Sequence, residues 1–165
     1  MVPTAATHGI GPPADVIDGE TIVTEALKRL DGKIDSTRAL IRVGKDFDGL
    51  RVDRIWATQA IYNLIANALK FTRNGEPPEV EIERYSPNEP NSNVVGITVR
   101  DRGPGVPPEH AERIFQLFQR AVGREIEGTG AGLAIVRQIA ERHGGNAWVE
   151  QRQGGGAEFI ITFGR

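Results

Sequence analysis

The chain has 165 residues, 39% hydrophobic and 25% charged, long enough to bury one core and too apolar for a disordered segment. Its formal net charge of −2 lacks the Lys and Arg excess that neutralises a phosphate backbone, which excludes nucleic acid as the main partner. There is no cysteine, so disulfides, thiol catalysis and thiolate zinc are excluded too, and no apolar run approaches the roughly 20 residues a membrane helix needs.

From Met1 to about Ala14 the chain is rich in Pro, Gly and Thr, without apolar periodicity, and reads as a loose tail. The expected division is a flexible tail over 1–17 and one folded domain over 18–165. Ile22, Val23, Ala26, Leu27 and Leu30 share one helical face, with Asp18 or Thr21 as a cap and Asp31-Gly32 as a weak end. Thr37–Val43 alternates like a strand and leads into a turn at Asp46–Gly49. Asp53 caps a strong helix running to about Phe71. Strand-like runs follow at Val80–Tyr85 and Val94–Arg100, then the loop DRGPGVPP and a short helix over Glu109–Phe118. A polar stretch over 120–128 leads to a long helix from Ala131 to about His143, stopped by Gly144-Gly145. Two strands, Ala147–Gln151 and Glu158–Phe163, close the chain around the turn QGGG. Hairpins mixed with three principal helices predict an α+β fold, a sheet covered by helices on one face.

Three constellations carry chemistry. Asn63, Asn67 and Lys70 stand at i, i+4 and i+7, on one face of the second helix and opposite Ile61, Leu64, Ile65, Ala68 and Leu69. Asn is a poor interior helix former, so propensity does not explain the pair. An amide oxygen suits Mg²⁺ and a lysine reaches phosphate oxygens; a solvated polar face is the alternative. Next, Asp101-Arg102-Gly103-Pro104-Gly105-Val106 follows a strand directly. A carboxylate there can accept from an exocyclic amine while glycines admit a flat base, although Asp, Gly and Pro also make plain turns. Finally, Gly128-Thr129-Gly130-Ala131-Gly132-Leu133 opens the third long helix, as an anion site at a helix N-terminus or a flexible hinge. It lacks the Lys-Ser/Thr of a P-loop and the preceding strand of a dinucleotide fingerprint.

In their fixed order, NLIANALKFT, DRGPGV, IFQLFQR and GTGAGLAI resemble the N, G1, F and G2 boxes of the histidine-kinase ATP-binding domain. That domain belongs to the superfamily of gyrase, heat-shock-chaperone and mismatch-repair ATPases. The resemblance runs from about Glu20 to Phe163 and implies a two-layer α/β sandwich of the Bergerat type, with a mixed, mostly antiparallel sheet. It implies ATP and Mg²⁺ as cofactors, with Asn67 as the metal ligand, Asn63 supporting metal and phosphates, and Lys70 on phosphate oxygens. Asp101 would bind the adenine amino group, with Gly103, Gly105 and Val106 beside the base. Gly128, Thr129, Gly130, Gly132 and Leu133 would shape the end of a lid in which Arg120, and with it Arg124, meets phosphate. Phe115 and Phe118 would anchor that lid. Ala131 departs from the leucine frequent in the family, a size change that leaves the glycine frame intact.

Superfamily ATPases carry a water-activating glutamate where Asn63 stands, and an amide cannot serve as a general base, so phosphoryl transfer is implied over hydrolysis. None of the histidines His8, His110 and His143 has the setting of an acceptor, and His143 reads as a cation at a helix C-terminus. The implied partners are a histidine-containing dimerisation domain and a response-regulator receiver domain. This segment is expected to be monomeric alone and cytoplasmic, without membrane contact. The rival readings are an anti-sigma-factor-type serine-protein kinase and a non-catalytic adenine-nucleotide module.

Overall fold

The structure, a computed structural model, describes residues 15–47, 50–72, 75–87, 94–116 and 130–164. Of 15, 16, 130 and 131 it describes the backbone alone. A short strand β1 (Asp15–Ile17) occupies the end of the stretch expected as tail and pairs antiparallel with β3 (Leu50–Val52). Both span 3 residues, too few for periodicity to reveal.

Helix α1 (Gly19–Arg29) starts as expected, the Asp18 carboxylate accepting from the Glu20 amide. Asp31-Gly32 does not end the helical region. A second helix, α2 (Asp31–Thr37), follows at once, and the Ile34 amide reaches back to the Leu30 carbonyl at 2.8 Å to carry the chain across the junction. The Thr37 hydroxyl donates to the Lys33 carbonyl at 2.8 Å, and Arg38 ends the helix with φ +58°. The expected strand Thr37–Val43 is therefore shortened to β2 (Leu40–Val43). Helix α3 (Arg54–Lys70) is capped by Asp53, whose carboxylate accepts from the Ile55 and Trp56 amides.

The main sheet has the order β2-β4-β5-β7-β6, with β4 (Glu79–Tyr85), β5 (Val95–Arg100), β6 (Ala147–Gln151) and β7 (Ala157–Phe163). β2 runs parallel to β4 and every other pair is antiparallel. Its inward residues Val80, Ile82, Ile97, Val99, Phe159, Ile161 and Phe163 join one core with Ile61, Leu64 and Ile65 of α3 and with Val136, Ile139 and Ala140 of α4 (Gly130–Arg142). The result is the expected two-layer α+β sandwich with helices on one face. The helix expected over Glu109–Phe118 is instead two 3-10 turns, Pro108–His110 and Arg113–Phe115, with 117 onward outside the described residues. Pro107-Pro108 fixes the entry, and Ile114 and Phe115 are pulled into the core before a full helical turn can repeat.

The bare face of the sheet carries a row of charge. Arg42, Glu81, Arg100 and Glu158 stand opposite one another across β2, β4, β5 and β7. Arg100 meets Glu158 at 2.6 Å and also Glu83, and Arg152 meets Glu81 at 3.0 Å. Burial works against the Arg100 charge, but the bonds to Glu83 and Glu158 outweigh it and hold the guanidinium above its ordinary pKa.

His143 corrects its sequence reading. It is buried, Nε2 accepts from the Asp53 amide at 3.0 Å, and Nδ1 lies 2.8 Å from the Ile139 carbonyl. Nε2 thus has no proton and Nδ1 carries one, so the ring is neutral and ties the end of α4 to the cap of α3. His143→Ala orphans the Asp53 amide and opens a cavity beside Phe163, whose ring meets the imidazole edge-on at 5.4 Å. We expect it to lower unfolding free energy by about 2–4 kcal/mol, read by urea titration.

Candidate functional site

Helix α3 has two characters. Ile61, Leu64, Ile65 and Ala68 pack into the core, while Tyr62, Asn63, Ala66, Asn67 and Lys70 face a cavity of about 400 Å³. Gly132 and Leu133 of α4 line the same cavity. Two of the three constellations therefore meet around one space. Asn67 is buried at 8% exposure, and its side-chain amide makes no hydrogen bond within the described residues. An inward amide oxygen without a protein partner fits a hard cation held jointly with phosphate. No cluster of three or more His, Cys, Asp or Glu able to hold a metal exists among the described residues, so a metal here would draw its remaining ligands from phosphate and water.

Asn63 is engaged differently. Its Oδ1 accepts from the Gln59 amide at 3.0 Å and its Nδ2 donates to the Gly132 carbonyl at 3.2 Å. It clamps the first turn of α4 to α3. A Cβ on Gly132 would lie 3.9 Å from that amide, in ordinary van der Waals contact.

Asp101 is outside the cavity lining, at the end of β5, and 5% exposed. Its Oδ1 accepts from the Gly103 amide at 2.9 Å and the Ala157 amide at 3.1 Å. Both bonds fall on one oxygen, which leaves Oδ2 for an external donor. Burial pushes the carboxyl above its ordinary value, against the two amides and Arg152, which pull it down. Arg152 also donates to the Asp101 carbonyl at 3.1 Å. Gly103 packs on the end of α3: a Cβ there would run into the Phe71 carbonyl, and the two residues line a second pocket of about 150 Å³ with Thr72 and Arg102. Gly105 has φ +83° and Val106 is half-buried against the core.

Phe115 sits in the core at 3% exposure, edge-on to Phe159 and 4.5 Å under the Arg137 guanidinium. Arg137 in turn donates to the Ala147 carbonyl and pairs with Glu112. The segment from Glu112 to Phe115 is thus fastened to α4 and β6. Gly130 opens α4, whereas Phe118, Arg120, Arg124, Gly128 and Thr129 lie outside the described residues.

Sequence reasoning missed Arg29, Lys33 and Tyr62 in the cavity and Arg152, Gly156 and Ala157 around Asp101. Arg29 and Lys33 are four apart, a helical spacing that a junction read as a helix end concealed. For Arg152 and Ala157 the signal was their flanking of the glycine turn.

A family model described as histidine kinase-, DNA gyrase B-, and HSP90-like ATPase matches residues 52–165. The chain is 35% identical over 153 residues to the methanogenesis regulatory histidine kinase FilI of Methanothrix harundinacea (strain 6Ac), covering 93% of this chain and 17% of that protein. It therefore spans about a sixth of the length of that relative. Its structure is similar to the nucleotide-free catalytic domain of histidine kinase ThkA, with TM-score 0.73, 30% identity, and coverage of 90% of this chain and 95% of that one. It is also similar to ThkA in complex with response regulator protein TrrA, with TM-score 0.70, 26% identity, and coverage of 90% and 41%.

Proposed function

This chain belongs to the histidine kinase-, DNA gyrase B- and HSP90-like ATPase family, and from there we propose that it is the ATP-binding catalytic domain of a two-component sensor histidine kinase. It transfers the γ-phosphate of ATP to a histidine on a dimerisation domain outside this segment. The observation that carries this reading is the chemistry of the cavity wall: among the described residues it is lined by Asn63, Asn67 and Lys70 and by no Asp or Glu. An amide at Asn63 cannot deprotonate water, which suits a site that positions phosphates for an incoming nucleophile. Asn63 is further occupied by Gln59 and Gly132, which suits a positioning residue.

Asn67 would hold Mg²⁺ through its amide oxygen, and the ion would supply charge neutralisation for the phosphates. Lys70 adds a fixed positive charge at the mouth. Asp101 selects adenine through Oδ2, with Gly103, Gly105 and Val106 beside the base. Gly130, Gly132 and Leu133 close the phosphate end, and the segment bearing Arg120, Arg124, Gly128 and Thr129 forms the lid. The acceptor comes from elsewhere: His143 is buried and bonded through both nitrogens, and the Nδ1 of His110 is buried without a partner. The complex of ThkA with TrrA supports a receiver domain as second partner. No helix among the described residues is long and apolar enough to cross a membrane.

The test mixes the chain with Mg-ATP labelled on the γ-phosphate and the dimerisation domain of a related kinase. We expect acid-labile label on the dimerisation domain, and Asn67→Ala to reduce the transfer rate by about 10²–10³-fold. Acid-stable label would move the assignment to a serine-protein kinase. Tight binding without transfer to any histidine-bearing partner would leave a nucleotide-sensing module.

A further inference from the structure

The cavity beneath α3 has a second wall that none of the sequence motifs supplies. Opposite Asn63, Asn67 and Lys70 it is lined by Arg29 and Leu30 at the end of α1 and by Lys33 of α2. Leu30 is 5% exposed and locked in the core, and the Ile34 amide bonds its carbonyl across the junction. The two cations therefore project from a fixed corner. Within the described residues neither Arg29 nor Lys33 carries an ion pair or a side-chain hydrogen bond, and no carboxylate lines the cavity to offset them. The neighbouring cation of α1 shows what compensation looks like here. Lys28 lines a separate cavity with Glu20, Glu25 and Arg54, and Arg54 there is paired to Glu25 at 3.2 Å. In a chain of net charge −2, two cations without counter-ions in one corner of the cavity mark where an anion belongs.

We propose that Arg29 and Lys33 form a second cationic wall that holds the terminal phosphate of a bound nucleoside triphosphate, so that this corner sets the preference of the site for triphosphate over diphosphate. The proposal rests on the nucleotide reading above and extends it to residues outside the boxes. Lys70 and the first turn of α4 reach the phosphate group from the α3 side, while Arg29 and Lys33 meet it from across the cavity. A diphosphate lacks the group that spans the gap. Its affinity then depends on Asp101 and the α3 wall alone.

The experiment is calorimetric titration with Mg-ADP and with a non-hydrolysable Mg-ATP analogue, on wild type, the double variant Arg29→Gln/Lys33→Gln, and Lys28→Gln. All three substituted side chains are solvent-exposed, and matched thermal unfolding midpoints verify folding. Losing charge-assisted contacts to one phosphate should weaken the triphosphate analogue about tenfold in the double variant and leave ADP within about twofold. Lys28→Gln removes one positive charge from the other face of α1 and should change neither. Equal weakening of both nucleotides, or of neither, would overturn the proposal. Folded wild type that binds neither nucleotide would overturn the nucleotide reading with it, a result distinct from a lost preference between the two.

Discussion

Asp101→Asn is expected to abolish measurable ADP binding, a loss of at least about 10²-fold, while the fold survives. The Gly103 and Ala157 amides both donate to Oδ1, so the substituted amide must put its own oxygen there to keep them satisfied. Its NH₂ then occupies the place of Oδ2 and points a donor at the incoming exocyclic amine. Two donors face one another in a dry pocket, a worse outcome than a missing bond. Calorimetry with ADP, with and without Mg²⁺, checks this, and undiminished binding by the variant would remove Asp101 from the base site. The same geometry gives a pH dependence. Burial raises the Asp101 carboxyl above the ordinary value of about 3.9, and only the ionised group is acceptor-only at Oδ2. Nucleotide affinity should therefore fall on acidification through that raised value, sooner than an unperturbed carboxylate would allow. Its own contribution to folding runs the opposite way: fully present below the unfolded value, it is lost as pH rises through the folded one. Acid thus favours the folded chain at this residue while disfavouring its ligand.

The second large effect is predicted at Gly156. Its φ is +103°, and a Cβ added there would run into the Asp101 carbonyl oxygen and lie 2.8 Å from its carbon and 2.9 Å from Arg102 Cα. Rigid backbone on both sides leaves nothing to yield. Gly156→Ala should cost about 3 kcal/mol or more, combining left-handed strain with overpacking. It should weaken ADP binding as well, because the Ala157 amide that orients Asp101 is the next residue. Gly75→Ala is the matched control: φ is +71° with nothing within 4 Å of the added Cβ, so a cost of about 1–2 kcal/mol from conformation alone is expected. Urea unfolding of both variants measures the difference. Equal costs would mean that the β6–β7 turn does not press on Asp101.

The candidate site was legible where chemistry and helical spacing coincide. Asn63, Asn67 and Lys70 could be placed on one face because α3 is long, unbroken and capped by Asp53. Asp101 could be placed at a strand end because Val95, Ile97 and Val99 stand two apart in the run that ends at Arg100. What escaped was tertiary. The α1–α2 junction hides a helix behind Asp-Gly, since Leu30 anchors it from the core and local propensity does not. The neutral state of His143 is written by Asp53, 90 residues away, and no helix-end rule contains that partner. Phe115 looked helical because its segment is apolar, yet its place is set by Arg137 and Phe159 from elements formed later in the chain.

The row of paired charges across the bare side of the sheet gives the molecule a handedness of use. A protein or membrane settling on that side would have to strip water from Arg42, Glu81, Arg100, Glu158 and Arg152 together and offer nothing they lack, since each already has its counter-ion. The helical layer differs: at its cavity Arg29 and Lys33 have no counter-ion within the described residues. One side of the sandwich is thereby a floor with its charge already matched, and the other holds the corner where charge is left over.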